Sequence, residues 1–405
     1  MATSGNSFAE LQPPARLLLG PGPSNIHPRV MKAMLSPMIG HLDPAFVGIM
    51  EDIKTLLRLV FRTSNEITFP VSGTGSAGME CVMANLIEDG DEVVVGVNGA
   101  FGGRLADLAD RLGAKVHKVE SPWGRIVEPD QIAEALSKTA KPKLVAVVHS
   151  ETSTGIHQPL EEISKMTHRS GALFVVDAVT SLACVPLEID AWGIDACYSC
   201  TQKGLSAPPG LAPVTFSPRA MEAVRKRKTK CRSWYLDLGL ITQYWGAERV
   251  YHHTAPITMN YAIYEALRIV VEEGLEARFK RHIVNASALV AGLGAIGIAP
   301  AAQEGHRLPQ LTAVTIPDGI DDTKVRTRLL QLFNIEIGAG LGAFKGKAWR
   351  IGLMGEGARR ENVTMVLSAL ESILSSMGVE LSRGRALAAA DKTYESMGPE
   401  AGTAR

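Results

Sequence analysis

Residues 173–203 read LFVVDAVTSLACVPLEIDAWGIDACYSCTQK, and they contain the two segments that decide the fold class. A first apolar run, LFVVD, ends in Asp177, and a second run at 196–200 is followed by Lys203. Continuous apolar runs of this length are typical of strands that helices cover on both faces. In a parallel α/β sheet the carboxyl ends of the strands meet at one edge, which is where ligands bind. The stretch therefore predicts an α/β fold that brings Asp177 and Lys203 to the same edge.

Similar runs continue on both sides of this stretch, and helical patterns separate several of them. The further predicted strands span 67–71, 92–97, 115–119, 143–149 and 212–216, and helices are predicted at 76–88, 101–112, 129–138 and 158–169. This alternation is the pattern of βαβ units, so we predict a mostly parallel seven-stranded sheet flanked by helices. Before it, a first helix is predicted to begin at Pro44, because Asp43 can cap it and apolar residues recur behind it at helical spacing.

The pattern changes after Pro256, where two long helices are predicted at 257–273 and 276–293. Predicted strands at 311–316, 335–337 and 347–353 then accompany helices at 321–333 and 360–377. We therefore divide the chain into an amino-terminal arm (1–24), a large domain (25–275), a smaller C-terminal α/β domain (276–380) and a C-terminal extension (381–405).

Composition excludes several classes of protein. The 42 Lys and Arg residues balance 42 Asp and Glu residues, so the chain has no broad basic field of the kind that attracts nucleic acid. Its longest apolar runs fall far short of the roughly 20 residues of a membrane span. The amino terminus, MATSGNSFAE, shows no secretion signal, the last four residues do not match a peroxisomal address, and five cysteines form no dense framework. We therefore expect a cytoplasmic enzyme that contacts neither nucleic acid nor membrane.

The segment SGTGSAG (72–78) follows a predicted strand and opens a predicted helix. Small residues at this point let the backbone approach a phosphate, and the free N–H groups of a helix start favour an anion. A nicotinamide site also needs an acid about 20 residues further on, at the end of the second strand. The nearest acids, Asp89 and Asp91, precede that strand, so this fingerprint is only half met. The segment indicates a phosphate site, and the simpler alternative is a turn that needs glycine.

Asp177 and Lys203 together suggest a specific chemistry. A partly desolvated lysine has a pKa below its free value and can form a Schiff base with a carbonyl cofactor. An aspartate opposite a pyridine nitrogen keeps that nitrogen protonated, which is the arrangement that pyridoxal phosphate needs. Alternation along a predicted strand puts Arg350 and Gly352 on the face opposite Trp349. An arginine that faces a gap lined by glycine is suited to bind a substrate carboxylate with both arms of its guanidinium. Its alternative role is a structural ion pair.

Three other features are interpreted as structural. Cys197 and Cys200 lie within a predicted strand, so we expect small buried residues and not a redox pair. His252 and His253 are adjacent, so we expect their side chains to diverge, and no cluster with zinc spacing accompanies them. The basic run 225–232 is interpreted as a solvated turn after a short helix.

Seven short segments, taken in order, resemble one family. They are LGPGPSN (19–25), SGTGSAG (72–78), SETSTG (150–155), VDAVTS (176–181), TQKGLSAPPG (201–210), YHHT (251–254) and WRIG (349–352). Over about residues 17–374 the chain resembles the class V, fold-type I aminotransferases, and it is similar to the alanine–glyoxylate and serine–pyruvate branch. The resemblance implies a pyridoxal 5′-phosphate enzyme with no metal.

The resemblance also implies a role for each matching residue. Lys203 would be the Schiff-base lysine, and Asp177 would be the partner of the pyridine nitrogen. The implied cofactor contacts are Thr74, Gly75, Ser76 and Gln202 at the phosphate, Thr152 at the ring hydroxyl, and Val179 and Phe101 at the ring faces. The implied substrate residues are Gly22, Asn25 and Arg350, of which Arg350 would bind the carboxylate. Tyr251 and Thr254 would reach the phosphate of the neighbouring subunit, so the active unit would be a homodimer. Phe101 departs from the alanine–glyoxylate branch, which has a tryptophan there, and a phenyl ring still supplies an aromatic face.

The implied reaction moves an amino group from alanine or serine to glyoxylate or pyruvate by ping-pong kinetics, with Lys203 as the general base. Segment 40–46 and the extension from Ala386 also resemble the (S)-ureidoglycine–glyoxylate aminotransferases, whereas segment 234–238 favours the alanine–glyoxylate branch. A cysteine desulfurase would need a thiol on a C-terminal loop, and no cysteine follows Cys231. An NAD-dependent oxidoreductase remains an alternative, supported by the glycine loop alone. A non-catalytic binding protein would leave Asp177, Lys203 and Arg350 without a purpose.

Overall fold

A seven-stranded sheet forms the centre of the protein, whose computed structural model describes residues 9–398. In chain order the strands are β1 (Leu17–Leu18), β2 (Ile67–Ser72), β3 (Glu92–Val97), β4 (Lys115–Glu120), β5 (Pro142–Val148), β6 (Ser150–Glu151), β7 (Ile156–His157), β8 (Leu173–Asp177), β9 (Ala196–Tyr198), β10 (Leu211–Phe216), β11 (Leu311–Thr315), β12 (Ile335–Glu336), β13 (Gly338–Ala339) and β14 (Ala348–Gly352). The helices are α1 (Pro28–Met34), α2 (Pro44–Phe61), α3 (Gly75–Leu86), α4 (Ala100–Arg111), α5 (Pro129–Ser137), α6 (Glu161–Arg169), α7 (Pro218–Arg225), α8 (Leu238–Trp245), α9 (Ile257–Glu273), α10 (Leu275–Ala295), α11 (Asp322–Phe333), α12 (Arg360–Ser376) and α13 (Arg385–Met397).

The central sheet has the strand order β2-β10-β9-β8-β5-β3-β4. Strand β10 runs antiparallel to both of its neighbours, and the other neighbouring pairs are parallel. The predicted α/β class and the mostly parallel sheet of seven strands are therefore confirmed. The second run of the deciding stretch is shorter than predicted, because β9 ends at Tyr198 and the chain then turns. Lys203 consequently lies in the loop after the strand.

Strand β8 shows why these runs are apolar throughout. Leu173 and Val175 belong to a core cluster on one side of the sheet, and Phe174 and Val176 belong to a second cluster on the other side. Burying a side chain of this size contributes roughly 1.5–3 kcal/mol relative to its exposure. Both faces of the strand therefore demand apolar residues, and polar groups are confined to its end at Asp177.

A third core cluster joins the C-terminal elements, and it includes Leu19 from the amino-terminal segment. Strand β1 pairs in parallel with β12, so part of the predicted arm is held in a small sheet with C-terminal residues. Helix α13, which lies in the predicted extension, packs against α10 and buries Ala386, Ala390 and Tyr394. The predicted domain boundaries themselves stay a prediction.

Helix α2 begins at Pro44 as predicted, with the Asp43 carboxylate accepting a hydrogen bond from the Ala45 N–H at 2.8 Å. It is not the first helix, because α1 precedes it. The sequence signal for the start of α1 is present, but the helix is short. His27 accepts a hydrogen bond from the Arg29 N–H, and Pro28 occupies the first helical position.

Among the described residues, no helix combines the length and the apolarity that a membrane crossing requires. Residues 1–8 and 399–405 lie outside the described part of the chain. They include most of the amino terminus that was interpreted as lacking a secretion signal, the start of the arm, and the last four residues.

Candidate active site

The carboxyl edge of the sheet borders a cavity of about 200 Å³. The predicted residues that line it are Thr74, Gly75, Ser76, Phe101, Thr152, Asp177, Val179, Gln202 and Lys203. The structure thus brings together all of the predicted cofactor residues except Tyr251 and Thr254. Met79, Arg104, Val148, Ser150, Thr180 and Tyr198 complete the lining, and the sequence analysis assigned none of them to the site.

The glycine loop places the start of α3 at this cavity. Thr74 is the residue that precedes the helix, and its side chain makes no capping hydrogen bond within residues 9–398. The first amides of the helix are therefore available to an anion. Gly73 has a φ of +140°, and a Cβ on Gly78 would lie 2.9 Å from the Ala212 Cβ. Glycine is thus required both for the turn and for the close packing of the helix on the sheet.

The acid that a nicotinamide site requires is missing from this arrangement. Strand β3 ends at Val97 and is followed by Asn98. The glycine spacing therefore serves the turn and the packing of the helix, and its role in phosphate binding stays a prediction. The half-met dinucleotide fingerprint gains no support.

Asp177 ends β8 with a buried and fixed carboxylate. Its Oδ1 accepts a hydrogen bond from the Val179 N–H at 2.8 Å, and its Oδ2 accepts one from the Tyr198 hydroxyl at 2.7 Å. Burial raises the pKa of Asp177 to about 6, and these two hydrogen bonds oppose that rise. The group is consequently suited to accept a hydrogen bond from a protonated ring nitrogen.

Lys203 is partly buried beside the segment that follows β1. Its Nζ donates a hydrogen bond to the Pro21 carbonyl, and a Cβ on Gly22 would overlap that Nζ. Burial lowers the pKa of Lys203, and the nearby charge of Arg350 adds to this effect while Cys200 and Asp177 oppose it. A lowered pKa makes the neutral amine, which is the nucleophilic and basic form, easier to reach.

Arg350 lies on β14 with only 7% of its surface exposed. Its Nε donates to the Ala339 carbonyl at 2.7 Å, and its Nη1 has a longer contact of 3.4 Å with the Thr152 carbonyl. No carboxylate forms an ion pair with it among the residues that the structure describes. Burial lowers its pKa, against the attraction of Glu151. The alternative of a structural ion pair is therefore wrong, and the guanidinium keeps donors for a substrate carboxylate.

Gln202 supplies an independent test of whether the cavity fits a phosphorylated cofactor. Its side-chain oxygen is buried and finds no hydrogen-bond partner within the described chain. A buried polar atom without a partner needs an explanation, and a bound group that pairs with it is one. Because the two ends of an amide can be exchanged by a flip, Gln202 can present its NH₂ group to an anion. The helix start, Gln202, Asp177 and Lys203 together fit pyridoxal phosphate.

The two remaining substrate residues have contacts of their own. Both polar atoms of the Asn25 side chain bond to the backbone of Leu18, at 3.0 and 2.9 Å. Asn25 therefore holds β1 in place, and its contact with substrate stays a prediction. Gly22 lies against the Lys203 amine, as described above.

Tyr251 and Thr254 are exposed and do not line the cavity of their own chain, and 60% of the Tyr251 surface is accessible. Nearby, the Nδ1 atoms of His252 and His253 lie 2.8 Å apart, so the expectation that these side chains diverge is wrong. The chain there is irregular, and the alternation of a strand does not apply. No group of three or more potential metal ligands occurs among residues 9–398.

Sequence reasoning missed Arg104 and Glu151. The Arg104 guanidinium lies 5.0 Å from the centre of the Phe101 ring, one helical turn away on α4. Glu151 is buried and accepts hydrogen bonds from the Phe101 N–H at 2.9 Å and the Gly102 N–H at 3.1 Å. The spacing of three residues was a usable signal for the first contact, whereas the second joins residues about fifty positions apart.

Cys197 and Cys200 are free and buried, and burial raises the pKa of Cys200 to about 12. The interpretation of both as buried side chains without redox chemistry agrees with this geometry, because a thiol with such a pKa supplies little thiolate at neutral pH.

Residues 17–350 match the family model described as Aminotransferase class-V. An (S)-ureidoglycine–glyoxylate transaminase of Bacillus subtilis (strain 168) is 41% identical over 97% of this chain and 98% of its own length. An alanine–glyoxylate aminotransferase of Mus musculus is 42% identical over 90% of this chain and 89% of its own. The crystal structure of an alanine–glyoxylate aminotransferase from Nostoc sp. superposes with a TM-score of 0.90 at 49% identity, over 92% of this chain and 100% of that one.

Proposed function

Because this chain belongs to the class-V aminotransferase family, we propose that it moves an amino group from alanine or serine to glyoxylate, or to pyruvate, by a ping-pong mechanism. The protein is a pyridoxal phosphate-dependent transaminase. The observation that carries the proposal is that Lys203 and Asp177 line one cavity, and that Arg350, which has no carboxylate partner among the described residues, is close enough to Lys203 to lower its pKa.

When bound, pyridoxal phosphate supplies a ring that withdraws electrons from the α-carbon of an amino acid. Asp177 would hold its ring nitrogen, Lys203 would hold its aldehyde carbon, and the first amides of α3 with Gln202 would hold its phosphate. Phe101 and Val179 line the cavity as apolar surfaces for the two faces of the ring.

Arg350 would bind the carboxylate of either substrate, since amino acids and oxo acids share that group. The Lys203 amine would take the α-proton and return it, because its lowered pKa makes the neutral base easier to reach than it is for an exposed lysine. The Pro21 carbonyl accepts a hydrogen bond from this amine and so fixes its direction.

A ureidoglycine–glyoxylate activity is the second candidate. It is favoured by the Bacillus subtilis relative, which matches 97% of this chain, whereas the Mus musculus relative matches 90%. The resemblance from Ala386 onward falls on α13, which packs on α10. Segment 234–238 supports the alanine–glyoxylate reading instead.

We further propose that the active unit is a homodimer in which Tyr251 and Thr254 reach the partner's phosphate site. Both residues are exposed and absent from the cavity of their own chain, and Trp234 and Val250 are also exposed near them in the sequence. The proposed location is the cytoplasm, which agrees with the five free cysteines.

Steady-state assays test the substrate assignment. The enzyme, saturated with pyridoxal phosphate, is given glyoxylate with L-alanine, L-serine or (S)-ureidoglycine, and glycine formation is followed. We expect the highest kcat/KM with alanine or serine. A value at least tenfold higher with ureidoglycine would replace this assignment by the second candidate. The Lys203→Ala variant serves as the control and should have no turnover with any donor.

A further inference from the structure

The Asp177 carboxylate is held from two directions by its own chain. The Val179 N–H bonds one oxygen, and the Tyr198 hydroxyl bonds the other at 2.7 Å. Strands β8 and β9 are parallel neighbours, and their register pairs Asp177 directly with Tyr198. The hydroxyl therefore comes from the adjacent strand at a position that the sheet itself fixes.

Packing alone does not explain a tyrosine at position 198. The side chain is only 1% exposed, and it belongs to the core cluster on one side of the sheet. A phenylalanine would fill the same space without bringing a hydroxyl into the interior. Within the described chain this hydroxyl makes one hydrogen bond, the bond to Asp177. A buried hydroxyl is costly unless it is bonded, so its purpose lies in that bond.

The charges around Asp177 act in both directions. Glu151, at the end of β6, raises its pKa, and Arg104 of α4 lowers it. Lys203, Cys197 and Cys200 are the other titratable groups that interact with it. Burial is the largest influence on its pKa, and the Tyr198 hydrogen bond is the largest opposing one. Without the hydroxyl, the carboxyl would take up a proton at a higher pH.

We propose that Tyr198 is a positioning residue whose hydroxyl keeps Asp177 an oriented carboxylate that can accept a hydrogen bond from the pyridine nitrogen of the bound cofactor. A protonated carboxyl would lose this ability, because it would meet the protonated nitrogen without a charge and with one oxygen turned into a donor. The proposal depends on pyridoxal phosphate as cofactor and is independent of which amino donor is used.

The test is the Tyr198→Phe variant, in which only the hydroxyl is removed. Affinity for pyridoxal phosphate is measured by equilibrium dialysis from pH 5 to 8.5. In the unchanged protein the affinity should fall as the pH drops through the pKa of Asp177, near 6. In the variant we expect the fall to begin about one pH unit higher, as for one lost hydrogen bond to a charged group. The affinity should then be about tenfold weaker at pH 5, about twofold weaker at pH 7 and nearly unchanged at pH 8.5.

Tyr394→Phe is the matched control. Its buried hydroxyl bonds the Asn285 side chain at 2.7 Å in the C-terminal core, so this variant also loses a buried tyrosine hydroxyl bond. We expect its pH profile of cofactor affinity to match that of the unchanged protein. The Asp177→Asn variant is compared with and without Tyr198→Phe, and the second change should then have no further effect on the pH profile.

Two results would overturn the proposal. One is an unchanged pH profile in Tyr198→Phe. The other is a loss of affinity that is equal at every pH, or that persists in the Asp177→Asn background, since either would show that the hydroxyl acts through packing and not through the ionisation of Asp177.

Discussion

Arg350 is buried and yet contacts no carboxylate within residues 9–398, which is rare for a charged side chain in a protein interior. Its Nε is fixed by the Ala339 carbonyl, and its Nη1 makes only a long contact. The cost of keeping such a charge without a partner would be removed by a substrate carboxylate. The proposed role of Arg350 therefore links its burial to the charge of the substrate.

Replacing Arg350 by lysine tests this link. A lysine retains the charge but cannot present two parallel N–H groups to a carboxylate. We expect kcat/KM to fall by about 100-fold for both the amino acid and the oxo acid, close to the loss of 2–3 kcal/mol of a charge-assisted bond, while affinity for pyridoxal phosphate stays unchanged. Steady-state kinetics and equilibrium dialysis measure the two quantities.

Arg383→Lys, at an exposed position, is the control for this change and should retain full activity. Equal losses of substrate and cofactor affinity in Arg350→Lys would contradict the assignment of Arg350 to the substrate.

At the same scale, the sequence predicted the residues that end strands and missed those that bond across them. Asp177 and Lys203 follow apolar runs, so their edge of the sheet could be predicted. Tyr198 lies inside the predicted apolar run 196–200, where a tyrosine is interpreted as a core residue. Its bond to Asp177 depends on the register of two strands, and one sequence without a structure contains no measure of that register.

At the scale of elements, the N-terminus of α4 determines where the aromatic face of the site lies. Glu151 accepts the first amides of this helix, from Phe101 and Gly102, and it also bonds the backbone and hydroxyl of Ser153. A negative charge at this position complements the helix dipole. One buried carboxylate thus joins the helix that carries Phe101 to the loop that carries Thr152.

The Glu151→Gln variant should loosen this junction. Glutamine keeps the size, but it offers one acceptor oxygen in place of two and removes the charge. We expect the free energy of unfolding to fall by about 2 kcal/mol, the scale of a hydrogen bond to a buried charge, and affinity for pyridoxal phosphate to weaken as Phe101 shifts. Urea unfolding and equilibrium dialysis are the measurements.

Glu128→Gln is its control, because Glu128 is likewise a glutamate at the start of a helix, α5, and neither Glu128 nor any residue of α5 lines the cavity. It should leave cofactor affinity unchanged. Unaltered cofactor affinity in Glu151→Gln would mean that the position of Phe101 does not depend on this carboxylate.

Elements differ in how far they could be predicted. The strands of the central sheet follow from their apolar runs, and their ends differ from the prediction by at most two residues. The antiparallel direction of β10 could not be predicted from its own sequence, because a strand that is buried on both faces has the same apolar pattern in either direction. Strand β1, which has two residues, is defined only by its pairing with β12.

At the scale of the whole molecule, a buried ion network connects the lysine loop to the segment that follows Arg350. Arg278 donates to the Gly204 carbonyl, directly after Lys203, and Arg281 donates to the carbonyls of Gly355 and Ala358. Glu273 pairs with both arginines, and against the effect of its burial they lower its pKa to about 2. The amine and the guanidinium of the site are therefore held in one frame, although they come from positions about 150 residues apart.

The same scale includes the proposed second subunit, and mixed dimers test the proposal that Tyr251 and Thr254 act across the interface. One variant carries Lys203→Ala, and the other carries Tyr251→Ala with Thr254→Ala. In a mixed dimer the intact Lys203 of the second variant would meet the intact Tyr251 and Thr254 of the first, so one of its two sites would be complete. Neither parent has a complete site. Because dimers are symmetric and mix at random, co-expression in equal amounts should restore about a quarter of the full activity.

The expected recovery separates action across the interface from action within one chain. If Tyr251 and Thr254 served the cavity of their own chain, every site in a mixed dimer would lack either the lysine or the phosphate contacts, and mixing would restore nothing. In the control pair, the first parent carries Lys203→Ala and the second parent carries Arg350→Lys. These two residues interact within a single chain. In that mixture the site of the second parent keeps its Lys203 but has a lysine at position 350, so its activity should stay at the low level of Arg350→Lys. Recovery in the first mixture alone would therefore place the exposed Tyr251 and Thr254 at the partner's phosphate, and would explain why the cavity of a single chain lacks them.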